Sequence, residues 1–398
     1  MWVFYGAAAI VLWLGILSLR NGFSFASYIS REIAKPLPDY QPFASVIAPT
    51  RGLDEGLREN IIPLLTQNYP DCEVIFVTDR ADDPSVRVVE DIRKGSLVPS
   101  RIVIAGEATE SGQKVHNLRV AVSQVDAKCE VLVFVDTDAR PHTDWLRSLV
   151  APLKDEQMGA ATGYRWFIPV KGGLASHLRS VWNASIASAL GERGDKNFCW
   201  GGSTAVRRAT FERLQISERW RWTVSDDFTV TRVLQEEKLP IHFVPQCLIP
   251  SLDDCNFSEL LEFANRQLKI TRTYAPHLWR SVLIGSLIFT TVFFGGLIMV
   301  IMRAAQGRSF LIPLLLLSVV YVLGALKSYI RLGAVAGALP AYRQQLLRIL
   351  PAHILLWPVA SALFLVNGMV AAYSRRITWR GITYELKSAT EAVIIPDK

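Results

Sequence analysis

The sequence predicts a membrane-anchored α/β protein, and three observations carry that reading. Of the 398 residues 50% are hydrophobic and 20% charged, and the mean hydropathy is +0.24, too apolar for a soluble enzyme and too polar for a chain made only of spans. Four uncharged runs, 1–19, 281–302, 309–326 and 349–374, approach or exceed the roughly 18 apolar residues that mark a spanning helix. Between the first two, residues 36–280 alternate short apolar runs with helical patterns, the order of a doubly wound sheet.

Taken in chain order, the first run has no basic residue before it, whereas Arg20, Arg31 and Lys35 follow it. By the positive-inside rule residues 1–22 form an uncleaved signal anchor, and the segment after it lies on the cytosolic face. Residues 45–48, 73–77, 101–105 and 131–135 are rich in Val, Ile and Phe. Too short for helices and apolar on both faces, they predict buried parallel strands, separated by helical patterns over 55–67, 84–93 and 115–125. Ligands of such sheets bind at the carboxyl ends of the strands. Those ends carry Pro49-Thr50-Arg51, Thr78-Asp79-Arg80, Gly106-Glu107 and Asp136-Thr137-Asp138, a polar and acidic rim. Neither a GxGxxG after the first strand nor a GxxxxGK[ST] occurs, so the rim needs another way to hold phosphate.

Residues 281–374 predict about three further transmembrane helices, and 375–398 a tail. If all three cross, Arg375, Arg376 and Arg380 end on the far side against the positive-inside rule; either the tail lies in an interface or one run is re-entrant. The five cysteines, all within 36–280, are odd in number and form no CxxC pair. Neither a disulfide framework nor a cysteine zinc site is indicated, and a reducing compartment suits them. The net charge of +7 is scattered among carboxylates and beside the apolar runs, where it meets lipid phosphate rather than nucleic acid. Asn183-Ala184-Ser185 and Asn256-Phe257-Ser258 match glycosylation acceptors, but in a cytosolic segment they stay unmodified.

Asp136 and Asp138 stand two apart at the end of an extended run, so their carboxylates can point the same way and share Mg²⁺ or Mn²⁺ with the oxygens of a diphosphate. Taken alone, the pair reads as readily as a loop start or helix cap, and Asp79 as a turn residue. Several ordered motifs together are more specific. Val77-Thr78-Asp79, Lys114-Val115-His116-Asn117-Leu118, Val135-Asp136-Thr137-Asp138, Gly163-Tyr164-Arg165-Trp166, Trp200-Gly201-Gly202-Ser203, Ser225-Asp226-Asp227 and Ile377-Thr378-Trp379-Arg380-Gly381 run from one end of the chain to the other. In this set the sequence resembles the inverting family 2 glycosyltransferases of the GT-A fold, most closely the ceramide glucosyltransferase branch and its bacterial lipid glycosyltransferase relatives.

That resemblance implies that Pro49, Asp79, Lys114 and Asp136 hold the donor, that Asp136 and Asp138 bind the metal, and that Asp227 is the catalytic base. The chemistry agrees, because a one-step displacement needs a carboxylate beside the acceptor hydroxyl, opposite the leaving diphosphate. Trp200, Gly201, Gly202 and Asp226 fall in acceptor or active-site loops. Without the resemblance, 200–203 is a glycine-rich turn, and Asp226-Asp227 caps an apparent helix over 228–237; if both readings hold, Asp226 caps and Asp227 acts. Of Trp166, Trp200, Trp220 and Trp222, at least half are expected to be core or interface aromatics.

The family's Q/R-x-x-R-W element becomes Arg266-Gln267-Leu268-Lys269-Ile270, with Lys and Ile in place of Arg and Trp. Arg266 and Lys269, with Arg272 as a substitute fork, are then donor-side cations, or they meet lipid phosphates from an amphipathic helix. The implied activity is transfer of glucose from UDP-glucose to a lipid hydroxyl such as ceramide's, with the UDP-sugar, the lipid acceptor and the bilayer as partners. A processive polysaccharide synthase would need a strict Q/R-x-x-R-W and more spans. A non-catalytic sugar-nucleotide-binding scaffold would not need Asp79, Asp136, Asp138 and Asp227 together.

Overall fold

The computed structural model describes residues 2–396. A long helix, α1 (Trp2–Ala34), leads into β1 (Ala44–Pro49), α2 (Leu57–Leu64), β2 (Cys72–Thr78), α3 (Pro84–Arg93), β3 (Ser100–Ile104), α4 (Gln113–Val122) and β4 (Val131–Phe134). Then come α5 (Trp145–Val150), β5 (Ala160–Phe167), α6 (Leu174–Ala187), β6 (Thr204–Arg207), α7 (Arg208–Arg213), α8 (Ile216–Arg219), α9 (Asp226–Glu236) and β7 (Ile241–Ser251). Four helices follow, α10 (Phe257–Tyr274), α11 (Pro276–Ala305), α12 (Leu311–Ala338) and α13 (Arg343–Tyr373), before the tail strands β8 (Arg376–Trp379), β9 (Ile382–Ser388) and β10 (Glu391–Ile395).

These elements form two compact units that interleave along the chain. One comprises Arg31–Trp166, Leu190–Ser251 and the tail from Arg375; the other comprises the chain up to Ser30, Phe167–Ala189 and Leu252–Ser374. The boundaries expected at 36, 280 and 374 divide the chain contiguously, whereas these units exchange segments.

The first unit is built on a seven-stranded sheet of order β3-β2-β1-β4-β6-β5-β7. The four anticipated strands pair in parallel, with Ile47 opposite both Ile75 and Phe134. The sheet is nevertheless mixed, because β6 runs antiparallel to both β4 and β5. Leu118, Phe211, Trp220 and Val230 cover one face and pack on Ile47, Ile75 and Phe134. Trp220 meets Phe134 and Phe211 edge-on, with centroids 5.4 and 5.2 Å apart. On β5, a Cβ at Gly163 would stand 2.6 Å from Ser203 Oγ and run into the Cys247 carbonyl oxygen.

The tail is part of this unit. Its three strands form an antiparallel sheet whose Tyr384 and Leu386 are buried. Tyr384 Oη accepts the Gln113 N–H at 3.2 Å, Arg232 donates to the Ala389 carbonyl at 3.4 Å, and the Ala392 N–H donates to the Trp222 carbonyl at 2.6 Å. Trp222 takes φ 65°, a left-handed conformation rare for so bulky a residue.

The second unit is helical. Four helices, Trp2–Ala34, Pro276–Ala305, Leu311–Ala338 and the stretch Pro340–Tyr373, are long and apolar enough to cross a membrane; the first runs well past the anticipated boundary at 22. Outward apolar side chains such as Leu315, Ile298 and Val322 stay exposed, as a lipid-facing surface requires. Polar bonds join the helices: Lys327 to Ser18 at 2.8 Å, Asn367 to Asn265 at 2.8 Å and His353 to Ser180 at 3.1 Å. Trp182 on α6 stacks on Phe364 of α13 at 4.6 Å, and α13 packs along both α6 and α10.

Gly163→Ala is expected to destabilise the first unit by about 1–3 kcal/mol, the usual cost of overpacking a closed core. An unfolding free energy from denaturant titration within about 0.5 kcal/mol of the parent would contradict this.

Candidate active site

The strand ends and two helix starts of the first unit assemble one acidic cluster. Pro49 at the end of β1 accepts a hydrogen bond from Thr137 Oγ1 at 3.1 Å, which pins the turn between Asp136 and Asp138. Lys114, on the first turn of α4, bridges from this turn to α9. Its ammonium lies 2.7 Å from Asp136 Oδ1 and 3.2 Å from Asp226 Oδ1. Burial opposes that charge, but Asp136, Asp226 and Asp227 outweigh it and hold Lys114 protonated, above its ordinary range. Asp136 resists burial in turn and is held below the usual carboxylate range by Lys114 and Arg165. For Asp226 the balance is reversed. Burial pushes it up to about 6 against the pull of Lys114, and the neighbouring Asp227 and Asp136 add to the rise.

Arg165, projecting from β5, lies 3.2 Å from Asp138 and 3.5 Å from Asp136, with its guanidinium 4.9 Å over the Trp200 ring. One planar cation therefore reaches both carboxylates, so the pair can address one metal ion. Among the described residues no group of three or more His, Cys, Asp or Glu side chains is placed to hold a metal. Two carboxylates suit Mg²⁺ or Mn²⁺, which would take its remaining ligands from phosphate oxygens and water.

Asp227 sits half-buried at the start of α9. Its Oδ1 accepts from Ser225 Oγ at 2.5 Å and from the Phe228 N–H at 2.7 Å, and its Oδ2 accepts from the Gly201 N–H at 3.3 Å. The helix cap is Ser225, not Asp226. Asp226 is the buried partner of Lys114, and Trp220 Nε1 holds its carbonyl at 3.0 Å. The glycines of the 200–203 loop make room for site side chains. A Cβ at Gly201 would run into the Asp226 carboxylate and stand 2.8 Å from Lys114 Nζ, and one at Gly202 would run into the Trp200 ring. Asp79, buried at the end of β2, faces Arg51 at 3.6 Å.

A family model for glycosyl transferase family 21 matches residues 8–392. The chain belongs to glycosyl transferase family 21. Among curated relatives, "Ceramide glucosyltransferase 1" of Caenorhabditis elegans is 21% identical over 277 residues, 67% of this chain and 58% of that protein, so the match spans little more than half of the relative's length. Solved structures similar to the chain include the mannosyltransferase PcManGT of Pyrobaculum calidifontis in complex with GDP-Man and Mn²⁺ (TM-score 0.48, 19% identity, 92% of this chain and 98% of that one). Another is the glucosyl-3-phosphoglycerate synthase of Mycobacterium tuberculosis with phosphoglyceric acid (TM-score 0.34, 16% identity, 59% and 78%). The seven-stranded unit of this family 21 glycosyltransferase is an α/β domain on a mixed sheet.

Three anticipated donor residues of the family 21 chain lie in the helical unit, on α10. Arg266 pairs with Glu262 at 3.5 Å, Arg272 donates to the Ala371 carbonyl and lies 5.3 Å over Trp279, and burial holds the Lys269 ammonium below its ordinary range. Of the tryptophans, Trp166 and Trp220 are core, Trp200 borders the site, and Trp222 is exposed. Arg165, Ser225 and Arg51 were given no role in the sequence. For Arg165 a signal existed, since a charge interrupts an otherwise buried strand.

Asp226 is more readily protonated in the folded chain than in the unfolded one, so its contribution to stability is full below pH 3.8 and is lost as the pH rises through about 6. Asp226→Asn removes that dependence. The difference in Tm between parent and variant should drift in the variant's favour from pH 4 to 7, and a difference constant with pH would contradict the assignment.

Proposed function

We propose that this chain is a membrane-bound inverting glycosyltransferase that moves a sugar, glucose from UDP-glucose foremost, to a hydroxyl of a membrane lipid such as ceramide, with its catalytic unit on the cytosolic face. The observation that carries the reading is one cluster in which Asp227, a base for the acceptor, follows Asp226, which Lys114 joins to Asp136, while Arg165 joins Asp136 to Asp138, a carboxylate pair for the donor.

In this reading Asp227 takes the proton of the acceptor hydroxyl as its oxygen attacks the anomeric carbon. Arg165 and Lys114 present positive charge to the departing diphosphate, and Asp79 faces the nucleoside. A divalent ion on Asp136 and Asp138 would further neutralise the leaving group. One base and one displacement give inversion.

Support for a lipid acceptor comes from the helical unit. The amphipathic α10 runs into α11 through Tyr274, His277 and Trp279, a mix suited to the headgroup layer. A lipid presenting only its hydroxyl there avoids extraction at about 0.8 kcal/mol per CH₂. The tail bears on topology. That β8 to β10 pack in the same unit as the sheet that precedes α11 supports a chain that returns to the side it left, with an even number of α11, α12 and α13 crossing. In this reading α11 and α12 cross, while α13, interrupted by Pro351 and Pro358 and packed along α6 and α10, does not. Gly307→Cys should then react with an impermeant thiol reagent only from the far face of sealed vesicles, and Ala341→Cys only from the face of the catalytic unit. Labelling of both from one face would refute this topology.

The activity is tested by incubating the purified protein in nanodiscs with labelled sugar nucleotides and a total lipid extract, and identifying the product by mass spectrometry. A glycolipid of inverted configuration is expected, and water-soluble polymer as sole product would instead indicate a synthase. Asp138→Asn should lose metal-dependent UDP binding in calorimetry. Asp227→Asn should keep that binding while turnover falls more than about tenfold, a barrier change above roughly 1.4 kcal/mol.

A further inference from the structure

The tail brings one more cation to the cluster. Arg380 and Gly381 form the two-residue turn between β8 and β9, flanked by the Trp379 and Ile382 pair, with φ 51° and 80°. Positive φ at both positions is the signature of a type I′ hairpin, which favours Asn-Gly or Gly-Gly. An arginine in that first position is strained, and strain of this kind is retained where the side chain serves a function.

The Arg380 guanidinium forms a two-pronged pair with Asp54, at 2.6 and 2.7 Å, and donates to the Arg51 carbonyl at 3.3 Å. It is 43% exposed, and a pair so open to water contributes little to stability. The pair therefore does not account for the strained residue. Arg51 lies two residues past Pro49, whose carbonyl accepts from Thr137 Oγ1 between Asp136 and Asp138; this brings the Arg380 guanidinium toward that pair, and its charge acts on both. The other cations near that pair are committed, Lys114 to Asp136 and Asp226, and Arg165 to Asp136 and Asp138. A donor diphosphate arriving there adds negative charge, and Arg380 is held, among the described residues, by a peripheral carboxylate and a carbonyl.

We propose that Arg380 is a donor-diphosphate-binding residue kept in reserve by Asp54, its guanidinium exchanging the Asp54 carboxylate for phosphate oxygens when the nucleotide sugar binds. The planar fork suits two oxygens of a diphosphate. This inference rests on the glycosyltransferase reading given above and adds to it a residue from the far end of the chain.

The test uses the full chain in nanodiscs with Mn²⁺, titrated with UDP, GDP and UMP. Arg380→Gln should weaken the preferred nucleoside diphosphate about tenfold or more, the loss expected for a charge-assisted bond, and should change UMP affinity less than about twofold. Asp54→Asn should tighten the diphosphate by about threefold, and that gain should vanish in the double variant. If the pair were only a structural clasp, both single variants would weaken binding, and that outcome overturns the proposal. So does an Arg380→Gln variant that binds like the parent, in which case the donor reading stands without Arg380. A parent that binds neither UDP nor GDP overturns the donor reading and this proposal with it. Should Arg380→Gln fail to fold, the sign of the Asp54→Asn effect decides alone.

Discussion

A buried ammonium between two carboxylates is the constraint on which the catalytic unit depends. Lys114 comes from a helix in the parallel half of the fold, Asp136 from the strand end where that half stops, and Asp226 from the helix between β6 and β7 of the mixed half. Removing one partner of a buried pair leaves uncompensated charge, typically at about 3–5 kcal/mol. Three segments distant in sequence are thereby held in one arrangement. The absence of a side chain at Gly201 follows from it, because the ammonium and carboxylate occupy the space a Cβ would need.

The same arrangement couples core to chemistry. Trp220 is fully buried against Phe134 and Phe211, and its one polar atom reaches the carbonyl of Asp226. The start of α9 is thus fixed from below by an aromatic and from above by Lys114, while Ser225 supplies the cap. Asp227, one residue further, is left to turn its carboxylate toward the Gly201 N–H. In the proposed reading, a base positioned by a rigid helix start loses little orientational freedom when the acceptor arrives.

How much of this was legible depends on the reach of the interaction. Strands β1 to β4 could be read because central parallel strands are apolar on both faces. α3 was found at its observed bounds because Asp83-Pro84 is a cap followed by a proline at the first helical position, as the structure has it. The helix expected over 55–67 shortened to Leu57–Leu64, with Gly56 left-handed at its start. β5 and β7 escaped notice because Gly163 and Arg165 interrupt the first, and Pro245 and Pro250 the second. The acids Asp79, Asp136, Asp138 and Asp227 were legible through ordered motifs. The partners that hold them were less so: Arg165, Ser225 and Gly201 stand inside the ordered motifs, and Arg165 interrupts a buried strand, but which acid each one holds is set by contacts that no local pattern encodes. The tail is the extreme case. Its strands look like any short amphipathic hairpin, and nothing in them says that they join a sheet-based unit some 120 residues earlier in the chain.

That late return has a consequence for biosynthesis. The ribosome releases the segment bearing Arg380, Tyr384 and Ala392 only after all the long apolar helices. Until then the Gln113 N–H and the Trp222 carbonyl lack the tail groups that complete them. The sheet-based unit thus reaches its finished form after the long apolar helices have been made, and its maturation is tied to their synthesis.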